Sequence, residues 1–355
     1  MDEPFVAVPV LQAARTDAEA GGDVVDDGEP GHGRHRFVEG EHGPPLVPVD
    51  RGALGPLAPF ATDEVSDLLV NGAAGLWIDA GRGLRRDDEW ELGEREVRDL
   101  AVRLVASGGR HVDEAHPCVD VRLGGGIRVH VALPPISTTG TLISVRIPRG
   151  DHVDLASLRR TGMIDAVQER ELVAVVRRRE NVLITGAAGV GKTTLLAALL
   201  SSAPPHERIV VVEDVAELRV RHQHVVGLEA RQANVEGAGH VGLDSLVREA
   251  LRMRPDRLIL GECRGAELRE LLTALNTGHD GGAGTLHANS LADVPARIEA
   301  LGALAGMDDR AVARQTVSAI GLVLHLERSD GVRRLAQLGR FAIAADGRLT
   351  IAAVG

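Results

Sequence analysis

The chain has 355 residues, of which 44% are apolar, none is tyrosine and only six are Phe or Trp. That length suggests two domains, or two plus a tail, with cores built from Leu, Val, Ile and Ala, and so few aromatics speak against single-stranded nucleic acid, whose bases stack on aromatic platforms. The first 50 residues hold 11 acids against 3 arginines, a net of −8 out of −11, so the rest carries about −3 and has no net basic excess to attract a polyanion.

Cys118 and Cys263 lie far apart without metal spacing, which fits a reducing compartment. No run approaches the ~18–20 apolar residues that span a bilayer. Met1-Asp2-Glu3 opens the chain without a basic leader region. These features lead us to expect a cytoplasmic protein whose membrane contact is peripheral. A local basic face remains open around Arg177-Arg178-Arg179.

Residues 1–50 are rich in Gly, Pro, Asp, Glu and His, and read as a disordered acidic tail. A start codon assigned too far upstream would look the same. Residues 52–150 read as a small α+β domain. Short strands are expected at 67–71 and 75–79 around the turn Asn71-Gly72. Spacings of three and four among Val97, Leu100, Ala101, Leu104 and Val105 predict a helix over Glu94–Ser107. Strands follow at 119–123, 127–133 and 142–147. Residues 151–180 form a helical linker, with its clearest helix at 163–179. From 181 to 355 the pattern becomes strand, helix, strand, as in a mostly parallel α/β sheet. Strands are expected at 182–185, 209–212 and 258–260, and a helix at 193–200. No internal repeat is found.

The chain contains a single lysine, Lys192, among 40 basic residues. It lies in Gly186-Ala187-Ala188-Gly189-Val190-Gly191-Lys192-Thr193, a full match to G-x-x-x-x-G-K-[ST]. An apolar strand precedes it and a helix follows. Glycines at 186, 189 and 191 let backbone N–H groups turn onto phosphate oxygens, and the helix aims its positive end at the same anion. The loop from Gly186 through Thr194 is therefore expected to hold the phosphates of ATP. Lys192, a compact point charge where arginine is bulky and forked, would reach the β- and γ-phosphates, and the Thr193 hydroxyl would face Mg²⁺.

Three acidic or histidine-bearing segments follow. Ile209-Val210-Val211-Val212 ends in Glu213-Asp214, with Glu217 three positions on. Acids at a strand end beside a phosphate site can hold Mg²⁺ through water or orient an attacking water, and a solvated turn would look the same. Pro255 closes a helix, and Leu258-Ile259-Leu260-Gly261 delivers Glu262 to a strand end. Last, Thr277-Gly278-His279-Asp280-Gly281-Gly282-Ala283-Gly284-Thr285-Leu286-His287 places two histidines around a glycine-rich turn.

In this order and spacing the four segments resemble the type II/type IV secretion ATPase superfamily: its Walker A, Asp box, atypical Walker B and His box. Arg231-Gln232-Ala233-Asn234-Val235-Glu236-Gly237 and the run from Leu251 to Gly265 are similar to the tight-adherence (Tad) pilus ATPases in particular. The resemblance covers about residues 55–325. It implies a RecA-like P-loop NTPase domain and a motor that couples ATP hydrolysis to pilin assembly or protein export. It also implies a homohexamer on the cytoplasmic face of the inner membrane, working on platform proteins and not on nucleic acid. Carried onto this chain, Glu262 would activate water, with Glu213 as the second choice or a Mg²⁺ partner alongside Asp214. Glu217 is a weaker candidate. His287 would face the γ-phosphate, and His279 is the less favoured histidine. Arg128 and Arg146 would be arginine fingers, with Arg122 and Arg149 in reserve. Cys263 departs from the aliphatic residue expected beside Glu262. A nucleic-acid motor of the recombinase or helicase kind also uses a phosphate loop, but the near-neutral body argues against it. A scaffold that binds ATP without hydrolysing it would be expected to lack one of Lys192, Thr193, Glu213 and Glu262.

Overall fold

The computed structural model describes residues 49–81, 83–148, 153–231, 239–329 and 331–354. Apart from Val49 and Asp50, the expected acidic tail lies outside them. The described residues form one compact unit and build two sheets.

The first sheet contains β1 (Asp67–Asn71), β2 (Leu76–Asp79), β3 (Leu84–Asp87), β4 (Cys118–Arg122), β5 (Arg128–Ala132) and β6 (Leu142–Arg146). Their order is β3-β2-β1-β6-β5-β4, and every pairing is antiparallel. Buried and outward residues alternate along β1, β4 and β6, as in a sheet with one face on a core. That core includes the predicted apolar face of helix α1 (Glu94–Ser107), with Val97, Leu100 and Leu104 among Leu68, Val70, Val129 and Ile143. The carboxylate of Glu96 accepts the Gly93 N–H at 2.9 Å and starts the helix. Strand β3 carries no apolar alternation and buries none of its four residues, so only its pairing with β2 reveals it.

The second sheet contains β7 (Val182–Gly186), β8 (Ile209–Glu213), β9 (Val225–Glu229), β10 (Arg257–Leu260), β11 (Ala283–His287), β12 (Leu322–Ser329), β13 (Val332–Ile343) and β14 (Leu349–Val354). The order is β14-β13-β12-β7-β11-β10-β8-β9. From β12 to β9 all neighbours are parallel, and β13 and β14 add antiparallel strands at one side. Successive residues of the parallel strands enter opposite cores. Ile184, Val211 and Ile259 pack with α2 (Leu155–Arg160), α3 (Ala166–Arg177) and α4 (Lys192–Ser201). Leu183, Val210, Val212 and Leu260 pack with α5 (Leu243–Leu251), α6 (Glu267–Leu275), α7 (Val294–Leu304) and α8 (Asp309–Ala319). Covering both faces explains the unbroken apolar runs of these strands. This is the expected α/β, RecA-like architecture with a smaller α+β part before it.

Two local expectations change. The helix expected over 163–179 begins only at Ala166, because Asp165 caps it. Asp165 Oδ1 accepts the N–H groups of Val167 and Gln168 at 2.7 and 2.8 Å, and Gln168 Oε1 accepts the Asp165 N–H at 3.0 Å. Gly162, at φ 77°, separates it from α2. Two members of the basic triplet at 177–179 are paired with acids. Arg178 pairs with Glu180 at 3.2 Å, and Arg179 folds inward onto the buried Glu207 carboxylate at 3.1 Å, which also binds the buried Arg257 at 2.5 Å.

Candidate active site

The phosphate loop runs from the end of β7 into α4. Gly186, Gly189 and Gly191 take φ of 144°, 70° and 102°, values that side chains other than glycine rarely adopt. At Gly186 space is limiting as well, since a Cβ would lie 2.5 Å from the carbonyl oxygen of Leu326 on β12. No side chain caps the start of α4, which leaves its first N–H groups available to an anion. The Lys192 ammonium is buried and donates to the carbonyls of Gly186 and Ala187, each at 2.9 Å, and to His287 Nδ1 at 3.3 Å. Burial lowers its pKa from the usual value, and Glu262 partly opposes that.

Parallel pairing sets His287 directly beside Gly186. Its Nε2 lies 2.7 Å from Glu262 Oε1. A neutral imidazole with its proton on Nε2 satisfies both contacts, accepting from Lys192 and donating to Glu262. Desolvation and the nearby Lys192 charge lower the His287 pKa, which favours that neutral form. Glu262 in turn accepts from Arg264 Nη2 at 2.6 Å through its other oxygen. Sequence reasoning passed over Arg264, although it stands two residues after the acid. His279 lies before the first residue of β11 and binds the carbonyl of Ala274 at 3.2 Å, away from this cluster.

Strand β8 ends beside β10, with Val212 opposite Leu260, so Glu213 falls next to Gly261. A Cβ at Gly261 would lie 2.5 Å from Glu213 Cγ. The glycine before Glu262 thus makes room for the acid of the neighbouring strand. Glu213 is buried, and its Oε1 accepts the N–H groups of Glu217 and Leu218, both at 3.0 Å. Burial pushes its pKa up to about 7, against the pull of those two N–H groups. Glu213 therefore shapes the turn that carries Glu217. Asp214 is exposed at the same strand end, 3.7 Å from Arg264. Burial raises its carboxyl, and Arg264 opposes the rise.

Arginines of the first sheet meet this turn. Arg128 pairs with Glu217 at 2.7 Å and reaches the carbonyl of Val215 at 3.5 Å. Burial lowers its pKa, and Glu217 opposes that. Arg122 pairs with Glu229 and donates to the Ala216 carbonyl at 3.0 Å. Arg219 donates back to the Gly125 carbonyl at 2.6 Å. Arg146 stands opposite Arg128 on β6 but is exposed. Arg149 and the 232–237 part of the Tad-like segment lie outside the described residues.

These groups surround two openings. A cleft of about 60 Å³ is lined by Thr193, Glu213, Asp214, Glu262, Arg128 and Arg264, among others. A cavity of about 560 Å³ adjoins Ala187, Ala188 and His287, and Asn289, Asp293 and Arg297 supply further polar groups. Among the described residues no three acids, histidines or cysteines converge as a metal cage. One hydroxyl and two acids near a phosphate loop do suit Mg²⁺, which prefers oxygen donors and commonly keeps waters and substrate phosphates as ligands. Cys263 is buried and fills the aliphatic position expected there, 3.5 Å from where a Cβ on Gly284 would lie. Burial pushes its thiol far up, out of thiolate chemistry.

Among known families, the type II/IV secretion system protein family matches residues 51–337. The chain is 49% identical over 294 residues to the "Putative conjugal transfer protein Rv3659c" of Mycobacterium tuberculosis, covering 81% of this chain and 83% of that one. It is 32% identical over 259 residues to the type IV secretion system protein PtlH of Bordetella pertussis, covering 65% and 75%. Among solved structures, the pilus retraction motor PilT with bound ADP superposes at a TM-score of 0.57 with 20% identity, over 84% of this chain and 81% of that one. The DotB ATPase of Yersinia pseudotuberculosis gives the same TM-score with 16% identity, over 88% and 81%. Both structures share the fold.

Proposed function

This chain belongs to the type II/IV secretion system protein family, and on that premise we propose that it is an ATP-hydrolysing motor. The observation that carries this reading is one continuous chain of contacts. Lys192 in the phosphate loop touches His287, His287 touches Glu262 at 2.7 Å, and Glu262 lines a cleft together with Thr193.

The loop N–H groups and Lys192 bind the β- and γ-phosphates of ATP. Glu262 takes a proton from a water, whose oxygen then forms a bond to the γ-phosphorus. The bond from that phosphorus to the β–γ bridging oxygen breaks, releasing ADP and phosphate. His287, neutral between Lys192 and Glu262, fixes the orientation of the carboxylate. Thr193, with Glu213 and Asp214 acting through water, would hold Mg²⁺, which neutralises phosphate charge when bound. Arg128 is assigned to face the transferring group because, of the three candidate arginines, it lines the cleft with Thr193 and Glu262.

The work done with this energy is assigned at a finer level. The names of its relatives point to conjugal transfer and type IV secretion, and the 231–237 segment resembles the Tad pilus subgroup. We assign the chain to pilus assembly, as a homohexamer driving inner-membrane platform proteins from their cytoplasmic side. Among the described residues no helix is long and apolar enough to cross a membrane, which fits peripheral attachment.

The test is ATP turnover by the purified chain and by Lys192→Ala, with pilin export measured in cells carrying each. Turnover and export should both vanish in the variant. Wild-type turnover persisting in Lys192→Ala would sink the hydrolysis reading. Strong stimulation of turnover by DNA or RNA would return the nucleic-acid motor.

A further inference from the structure

We infer that Arg264 is a positioning residue for Glu262, holding that carboxylate beside His287 through a guanidinium that also reaches Asp214. The inference rests on the proposed function, in which Glu262 takes the proton from water.

The geometry is a two-sided clamp. Glu262 Oε2 accepts from Arg264 Nη2 at 2.6 Å, and Oε1 faces His287 Nε2 at 2.7 Å. With each oxygen held by a donor from a different segment, both the position and the plane of the carboxylate are fixed. A carboxylate held at one oxygen only would rotate about its last bond and present its free oxygen over a range of directions. Proton abstraction needs one direction.

Arg264 is itself held from behind. The N–H groups of Arg264 and Gly265 both donate to Glu267 Oε1, at 2.5 and 2.7 Å. Glu267 is buried in the first turn of α6. The backbone of the arginine is thus fixed to a helix that packs in the core, although its side chain is 61% exposed. Its far nitrogen, Nη1, lies 3.7 Å from Asp214 Oδ2 on the next strand end. The guanidinium therefore ties the ends of β8 and β10 together across the cleft that Thr193 lines. A planar guanidinium presents its donors in a rigid fork, so it can face two acids in a fixed geometry, whereas the donors of an ammonium rotate on a flexible stem.

The test compares wild type, Arg264→Ala and Arg264→Lys in the full chain. Steady-state turnover gives kcat and KM for ATP, and a fluorescent ADP analogue reports the phosphate loop directly. In Arg264→Ala kcat should fall about 100-fold, while KM and ADP affinity stay within about threefold, because Arg264 contacts acids and not the loop. Arg264→Lys should recover part of kcat, since charge returns without the fork. Normal ADP binding also shows that each variant has folded around its loop. A kcat within about twofold of wild type in Arg264→Ala overturns the inference, as does a parallel loss of kcat and ADP affinity, or no recovery in Arg264→Lys. No turnover in wild type fails the hydrolysis reading and this inference with it. Turnover that is lost in Lys192→Ala but kept in Arg264→Ala fails this inference alone.

Discussion

The two sides of the candidate site are built on different principles. The phosphate loop acts through backbone: glycine dihedrals, uncapped helix N–H groups and one buried ammonium held by the loop's own carbonyls. The acidic side meets the first sheet through pairs of side chains, Arg128 with Glu217 and Arg122 with Glu229. Backbone geometry fixed by a buried strand and helix keeps its shape whatever it binds. Pairs with partly exposed members contribute only about 0–1 kcal/mol each, so they can exchange partners when phosphate charge enters. A rigid grip thus faces an adaptable set of charges.

The sharpest test of this contrast is Glu262→Gln. It should lower kcat about 10²- to 10⁴-fold and leave ADP affinity intact, which a fluorescent ADP titration would show. Loss of ADP binding would mean that the two sides are not separable. Arg128→Ala should come next, with a loss of at least about tenfold in kcat, and Arg146→Ala should lose less because it is exposed on the neighbouring strand. Gly261→Ala places a methyl against Glu213 and should cost about 1–3 kcal/mol in a denaturant melt, with a matching fall in turnover as the Glu217 turn shifts. Glu217→Ala should change stability by no more than about 1 kcal/mol, while raising basal turnover by releasing Arg128. A fall in turnover would mean that Glu217 helps and does not restrain.

The smallest effect tests the strand beneath the loop. His325 on β12 is fully buried, and its Nδ1 meets Thr185 Oγ1 at 2.8 Å, one residue before the loop. Desolvation lowers its pKa. A histidine with a depressed folded pKa contributes stability that is present above its ordinary pKa and lost as pH falls through the folded value. Wild type should therefore lose stability on acidification below about pH 6.5, with a slope from this residue of at most about 1.4 kcal/mol per pH unit. In His325→Gln that part of the slope should disappear from melts recorded across the range.

The two sides also differed in how far the sequence revealed them. The phosphate loop is contiguous, and each of its residues acts through local backbone geometry, so Gly186 to Thr194 could be placed without a fold. The buried strands were legible for a similar reason, since faces covered on both sides leave unbroken apolar runs. Glu262 and His287 were legible only as parts of a recurring order of segments, and their 2.7 Å contact depends on β10, β11 and β7 lying side by side. Arg122 and Glu229 are 107 residues apart, and no local pattern joins them. The pairing of Arg179 stayed hidden for the same reason. In sequence this residue is one of three adjacent cations, but the fold turns it onto Glu207. Strand β3 stayed hidden because edge strands need bury nothing. The reason for Gly261 needed coordinates, since the side chain it accommodates comes from another strand.

The strand order carries one more consequence, in time and not in space. Strand β7, which feeds the phosphate loop, is flanked by β12 and β11, and three strands lie beyond β12 or include it on one side and four beyond β7 on the other. Among the described residues, strand β9 has a neighbour on one side only, β8. The amide protons of β7 can leave only when much of the sheet opens, whereas those of β9 need only a local release. In heavy water the strand under the grip should keep its protons longest, and the border beside the acids should give them up first. The molecule thus has a slow centre and a fast border within one sheet.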